Sequence, residues 1–306
     1  MAYPVAVGVP SLSGTYIPSI WSPKLIAKFY ALTALSEIMN VSYEGDIKAF
    51  GDTVKINGLP DITISDYVQG QEVVPENPNP AEYDLLINKG KKWAFNANTV
   101  QVKQSKIAFV DEWTNVAGQE MKRSIEYDVY ANIYADPVAA NQGNTAGAVT
   151  ASVALGAAGA PLAVNIANAL TAVIGAGQVL DEQNVPEEDR WILLPPWWTA
   201  RMKTSDLGKV YITGDKETMA RNGKMGMIDR FTVYTSNLMS TATDSGHVCT
   251  RVLFGHKIAT AFATQIVFNE QVDNQKDFGK IVRGLQVFGY KTIKPSALGS
   301  FLAYAA

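Results

Sequence analysis

Among 306 residues there is one cysteine, Cys249, and only two histidines, His247 and His256. A single thiol excludes an intramolecular disulfide framework and suits a reducing compartment. A zinc site needs four ligands; His247 and Cys249 sit two apart on an expected strand, but no third or fourth ligand accompanies them. Cys249 therefore reads as a small buried hydrophobe. His256, next to Gly255, reads as a capping or packing residue, because a general base needs an oriented partner. Charge of one sign is also missing. With 26 basic and 29 acidic side chains the formal net charge is −3. No block of like charge signals disorder, and no Lys/Arg cluster signals tight nucleic-acid binding. The richest apolar stretch, 146–176, is interrupted Ala/Gly sequence and a poor membrane span. The first residues lack a basic segment and carry Pro4, Pro10 and Pro18, unlike a signal peptide. A soluble, intracellularly made protein is expected.

Catalytic motifs are equally scarce. Gly156-Ala-Ala-Gly-Ala-Pro and Asn222-Gly-Lys-Met-Gly are not phosphate-binding loops: Met225 follows Lys224 where a magnesium-binding hydroxyl is required. No Gly-x-Ser-x-Gly nucleophile elbow occurs. Glu187-Glu188-Asp189 reads as a solvated turn, and Trp197-Trp198, behind Pro195-Pro196, as core at a strand-to-helix corner. The expectation is a protein without catalysis, cofactor or metal. No internal repeat of 20–50 residues is present.

What is present begins with a first third poor in core-forming segments. Residues 1–23 are rich in Pro, Gly and Ser, with Tyr3, Tyr16 and Trp21 scattered among them, and such a terminus is ordered only by a partner surface. A short amphipathic helix is expected over 24–39. Thr53-Val-Lys-Ile-Asn and Asp61-Ile-Thr-Ile-Ser-Asp-Tyr alternate as strands do, a loop follows around Pro75, Pro78 and Pro80, and Tyr83–Asn88 and Trp93–Asn96 read as returning strands joined through Lys89–Lys92. Three or four strands of this kind make a projecting ribbon, marginal alone in water. Its apolar residues need a surface elsewhere, and further copies of the chain are the expected one.

From 101 to 135 the period changes. Val102, Phe109, Val110, Trp113, Val116, Met121, Ile125, Val129 and Ile133 form one stripe, with Asn98 and Thr99 as cap candidates and Asp136-Pro137 as the stop. A helix of this length spans about 50 Å. Gly118 permits a bend or a close approach. Tyr127, Tyr130 and Tyr134 mark a second face, as expected of a helix packed on its own domain and touched by a neighbour. Residues 137–160 read as a loop, 161–180 as a helix opened by Pro161, 190–195 as a buried strand and 196–202 as a helix. Strands are expected at 231–235, 248–254 and 280–293.

The ordered set Tyr16-Ile-Pro-Ser-Ile-Trp-Ser-Pro-Lys-Leu, Tyr43-Glu-Gly-Asp-Ile-Lys, Gly51-Asp-Thr-Val-Lys-Ile, Asp61-Ile-Thr-Ile-Ser-Asp-Tyr, Leu180-Asp-Glu-Gln-Asn-Val-Pro-Glu-Glu-Asp-Arg-Trp, Pro195-Pro196-Trp197, Asn222-Gly-Lys-Met-Gly, Thr235-Ser-Asn and Val282-Arg-Gly-Leu resembles major capsid proteins of tailed bacteriophages with the Hong Kong 97-like fold. The resemblance implies an α+β fold with an N-terminal arm (1–42), an extended β-hairpin loop or E-loop (43–95), a peripheral domain with a long spine helix (96–136), an axial domain (137–250) and a return to the peripheral domain (251–306).

It further implies a homo-oligomer: pentamers and hexamers in an icosahedral shell around double-stranded DNA, which is touched without sequence preference. The expected inter-subunit contacts are Tyr16, Trp21, Lys24, Ile56, Ile62, Ile64, Tyr67, Tyr127, Tyr130 and Tyr134. Some relatives carry a cleaved N-terminal scaffolding segment; here Met1 runs almost directly into the arm, so a separate scaffolding protein is expected. A portal and decoration proteins are further partners, a membrane is not, and the place is the virion capsid, assembled in the host cytoplasm. Lys89, Lys91 and Lys92 lie in the ribbon, but no acceptor matches the isopeptide crosslink of some relatives. The alternatives are an encapsulin-like compartment shell, another virion component such as a tail-tube or decoration protein, and an α/β enzyme with an unrecognised site.

Overall fold

The computed structural model describes residues 34–42, 53–58, 60, 62–72, 75–78, 80–98, 109–204, 226–275 and 278–306. In chain order the elements are α1 (Leu35–Ile38), β1 (Thr53–Asn57), β2 (Glu82–Leu86), β3 (Lys89–Asn98), α2 (Phe109–Ile133), β4 (Leu162–Val164), α3 (Ala169–Glu182), β5 (Arg190–Leu194), α4 (Pro196–Thr204), β6 (Met227–Ile228), β7 (Phe231–Thr235), β8 (Thr241–Asp244), β9 (His247–His256), β10 (Thr260–Asp273), β11 (Gly279–Thr292) and β12 (Leu298–Ala305).

A seven-stranded sheet runs β4-β12-β9-β5-β7-β6, with β8 paired to β9. β5 lies inside it and is buried along its whole length, so Trp191-Ile-Leu-Leu forms a continuous apolar run rather than an alternating one. Helices α3 and α4 cover this sheet. Trp198, fully buried, donates its indole N–H to Ala169 O at 3.1 Å and meets Phe301 edge-on at 5.4 Å. Arg190 is buried at the start of β5, yet ion-pairs with Asp181 at 2.8 Å and donates to the carbonyls of Val185 and Pro186. Burial opposes ionisation of Asp181, but hydrogen bonds from Arg190 and Arg230 outweigh it and hold the carboxyl below the usual range. Glu187 joins this network through Arg230 at 2.7 Å, so that acidic turn is a clasp as well as a solvated loop.

A second sheet has the order β10-β11-β3 and carries α2 on one face. Trp93 stacks on Phe95, which meets Trp113 of α2 edge-on at 5.5 Å. Met121, Ile125, Val129 and Ile133 are the buried stripe of α2. β1 and β2 form a separate hairpin. Its base is anchored within the subunit: Ile56, Leu85 and Ile87 cluster with Ala261, Ala263, Val287 and Ile293 of the second sheet.

Several elements differ from expectation. Residues 62–68 form no strand; the other side of the loop carries Pro75, Pro78 and Pro80, which have no N–H for a ladder. β3 leaves the ribbon altogether and pairs with β11, and Lys89–Lys92 lie within this strand rather than in a connection. Pro161 precedes a strand. The helix starts later, where Asn165 Oδ1 accepts the N–H groups of Ala167 and Asn168. The described part of the long helix is 109–133, about 37 Å at 1.5 Å per residue, and nothing lies within 4 Å of a Cβ built on Gly118, so that glycine makes no close approach here. Only Leu35–Ile38 of the expected 24–39 helix falls in the described residues. Nor does residue 250 mark a change of sheet: β9 runs through it to His256, and β12 rejoins the larger sheet between β4 and β9.

Candidate subunit interface

The outer part of the hairpin loop is the most apolar exposed feature of the described chain. Ile64 is 94% exposed, Tyr67 85% and Ile62 69%, and Val68 accompanies them. One loop-internal contact shapes the segment: Glu76 accepts the Thr63 N–H at 3.0 Å and its hydroxyl at 3.4 Å. Four large apolar side chains this exposed within seven residues, with little of the subunit beneath them, present a surface to something outside it.

Of the other expected contact residues, Tyr127 is half exposed on α2, beyond Trp113, which is also half exposed. Tyr130 is a correction: at 1% exposure it belongs to the core, and its hydroxyl donates to Glu126 Oε1 at 2.5 Å. Ile56 is another, 7% exposed at the hairpin base. Ile56 turns toward the subunit's own second sheet, and Tyr130 toward the core and the Glu126 carboxylate. Tyr134 is partly buried, with the Arg251 guanidinium 5.0 Å from its ring centre. Tyr16, Trp21 and Lys24 lie outside the described residues. Exposed apolar residues that the sequence reading passed over include Leu86, Val149, Ile166, Ile174 and Val248. Val149 stands in the Ala/Gly-rich loop, and only its bulk among small neighbours marked it.

Polar clamps position these surfaces. At the root of the hairpin loop, Lys89 bonds Asp128 of α2 at 3.1 Å and the Tyr290 hydroxyl of β11, tying three elements together. Burial works against the charge of Lys89, but these hydrogen bonds more than compensate and raise its affinity for the proton. Its amine is engaged, not a free nucleophile. The Val149 loop is held by Glu182 at the end of α3, which accepts the N–H groups of Val149 and Thr150 at 2.8 and 3.0 Å and the Thr150 hydroxyl at 2.7 Å. Those bonds, the Thr150 and Val149 N–H groups foremost, lower the Glu182 pKa to about 2. A carboxyl depressed in the fold stabilises above its unfolded value near 4.5, and that contribution is lost as pH falls toward 2. Glu182→Gln is expected to raise amide exchange at Val149 and Thr150 severalfold at pH 7 and to leave little further change down to pH 3. Equal protection in both proteins at pH 7 would contradict the clamp.

The residues weighed for chemistry have structural work. His247 stacks on Tyr304 at 4.0 Å. Cys249 is buried, and burial pushes its thiol up, away from thiolate. His256 Nδ1 accepts the Ile258 N–H at 3.1 Å, capping the turn between β9 and β10. No group of three potential metal ligands forms among the described residues, and no helix there is long and apolar enough to cross a membrane. A shallow groove of about 380 Å³ crosses the open face of the second sheet, floored by Ala94, Gly284 and Leu285 and flanked by Lys92 and the Glu270–Arg283 ion pair.

Comparison with known proteins places this architecture. Residues 86–299 match the family model described as phage capsid protein, more than two thirds of the chain. No curated protein matches. Among solved structures, one from Mycobacterium phage Che8 aligns with a TM-score of 0.76 at 20% identity, over 94% of this chain and 97% of that one. The capsid of cyanophage P-SCSP1u aligns at 0.68 and 15% identity over 96% of each chain, and the capsid of Ralstonia phage GP4 at 0.65 and 13% over 98% and 99%. The two-sheet body with a long helix and a projecting hairpin is thus the Hong Kong 97-like fold, and the chain belongs to the phage capsid protein family as a tailed-bacteriophage major capsid protein.

Proposed function

We propose that this capsid subunit assembles into pentamers and hexamers of a closed icosahedral shell that encloses double-stranded DNA, without catalysing a reaction. The observation that carries this reading is the exposed Ile62, Ile64 and Tyr67 on an extended loop. Full burial of each would stabilise a contact by about 2 kcal/mol, and the contacts multiply around a ring through avidity. The groove beside Lys92 and Leu285, apolar with a polar rim, is of a kind to receive a neighbour's loop. In this reading 1–42 is the arm, 43–95 the E-loop and 96–136 the part with the spine helix. The seven-stranded sheet then forms the body of the axial domain, extending the expected 137–250 by β12. The net charge of −3 suits a lining that holds DNA without gripping it. A separate scaffolding protein, a portal and decoration proteins complete the partners, with assembly in the host cytoplasm.

Negative-stain microscopy of the purified protein, with and without co-expressed scaffolding protein, tests the proposal. Closed shells with five- and six-fold capsomers are expected, and particles from infected cells should contain double-stranded DNA. Tubes, small discrete oligomers or shells filled with protein cargo would overturn it.

A further inference from the structure

Glu126 lies in the middle of α2 and is 1% exposed. Its Oε1 accepts the backbone N–H of Ala34 at 2.8 Å and the Tyr130 hydroxyl at 2.5 Å, while Oε2 is buried without a hydrogen-bond partner. Ala34 opens the segment 34–42, whose Ile38 and Met39 are buried in the core and which is hydrogen-bonded to the body at two places. One is this bond. The other is a backbone bridge in which Asn40 N–H donates to Thr260 O and Asn40 O accepts from Phe262 N–H. A pocket of about 260 Å³ opens between the segment, α2 and the second sheet, lined by Leu35, Ile125, Glu126 and Phe262, with Lys122 at its rim. A buried carboxyl with an orphaned oxygen beside such a pocket is far better hydrated when the segment lifts away.

We propose that Glu126 makes the docking of segment 34–42 onto α2 sensitive to pH, with the segment held tightly when the carboxyl is protonated and released when it ionises. Groups from each element packed there face Glu126. On α2 they are Lys122 and Tyr130; from the segment, the Ala34 N–H and Ser36; from β10 and β11, Thr264 and Gln286, which bond each other at 2.6 Å. Lys122 is the one charged group among the described residues lining the pocket besides Glu126 itself. Burial raises the Glu126 pKa, and the bonds from Ala34 and Tyr130 offset only part of that rise. The docked state consequently binds more protons than the undocked state. Docking is strongest below the free carboxyl's value near 4.5 and weakens as pH rises through the raised value.

Hydrogen exchange of the amides of 34–40, measured on assembled particles and corrected for intrinsic rates, reads the docking equilibrium. Their protection should fall by up to tenfold per pH unit across the titration window, one proton being linked to opening, and level off above it. Glu126→Gln should remove the pH dependence while keeping the Ala34 bond. Tyr130→Phe, which deletes a donor to the charged form, should move the fall to higher pH. Protection independent of pH in the wild-type protein would overturn the proposal. So would a fall of unchanged midpoint in Tyr130→Phe, or one that persists in a folded Glu126→Gln protein.

Discussion

Replacing Ile62, Ile64 and Tyr67 together by serine should abolish particle formation while leaving the subunit's own unfolding transition within experimental error. The three side chains are 69%, 94% and 85% exposed, so they contribute little to the packing of the isolated subunit. Buried against a neighbour they would supply about 2 kcal/mol each. Losing about 6 kcal/mol per contact is roughly a factor of 10⁴ in association, and every contact in a ring would suffer it. Sedimentation velocity across a concentration series measures the first half of the expectation and urea unfolding the second. Ile56→Ser is the counterpart, since Ile56 is 7% exposed in the hairpin anchor. That change should lower the urea midpoint. Normal shells from the triple variant would remove the loop from the interface.

Gly156→Ala should be among the most damaging single changes available in the subunit, costing about 3–5 kcal/mol in the unfolding free energy. Gly156 has φ +85°, a conformation strained for a residue with a Cβ. An added Cβ would stand 2.1 Å from Leu302 O and 2.7 Å from Leu162 N. Both of those atoms are backbone, in β12 and β4, so no side chain can rotate aside. The adjacent Leu155 O accepts the Leu302 N–H at 3.0 Å, and this bond would be distorted with the clash. Gly159→Ala separates the two causes, because Gly159 has φ +83° with nothing within 4 Å of its Cβ position. It should cost only the backbone share, about 1–2 kcal/mol. Equal midpoints for the two variants would mean that the contact with β12 is not tight.

What could be read from the residues followed exposure. The run 280–293 reads as a strand because one face of β11 packs under α2 while the other is covered by the hairpin around Val287 and more open toward residue 280, and the stripe Met121–Ile133 repeats because α2 is buried along one side. Both elements were expected within a few residues. β12 was not, because Leu298-Gly-Ser-Phe-Leu-Ala-Tyr-Ala is buried on both faces, and such a strand loses its alternation while its small residues have little strand preference. Tyr130 was misassigned because a tyrosine at a helical spacing says nothing about whether its hydroxyl meets water or a carboxylate. The exposed Ile62, Ile64 and Tyr67 were legible as contacts, though not as a loop rather than a strand, since alternation alone does not show whether a partner strand exists.

The position of β12 bears on when a subunit can first exist. Among the described residues β4 is bonded in the larger sheet only to β12, and β9 meets β12 along residues 250–255. Until residues 298–305 have been synthesised, both strands present unpaired edges, and the loop around Gly156 has no backbone to lie against. Contacts so distant in sequence form slowly, so this sheet is completed only after residues 298–305 have been made. A nascent or truncated chain, although its hairpin loop is already exposed, lacks the finished body on which a ring could close. A chain cut short before residue 298 is expected to stay out of assembled particles for this topological reason.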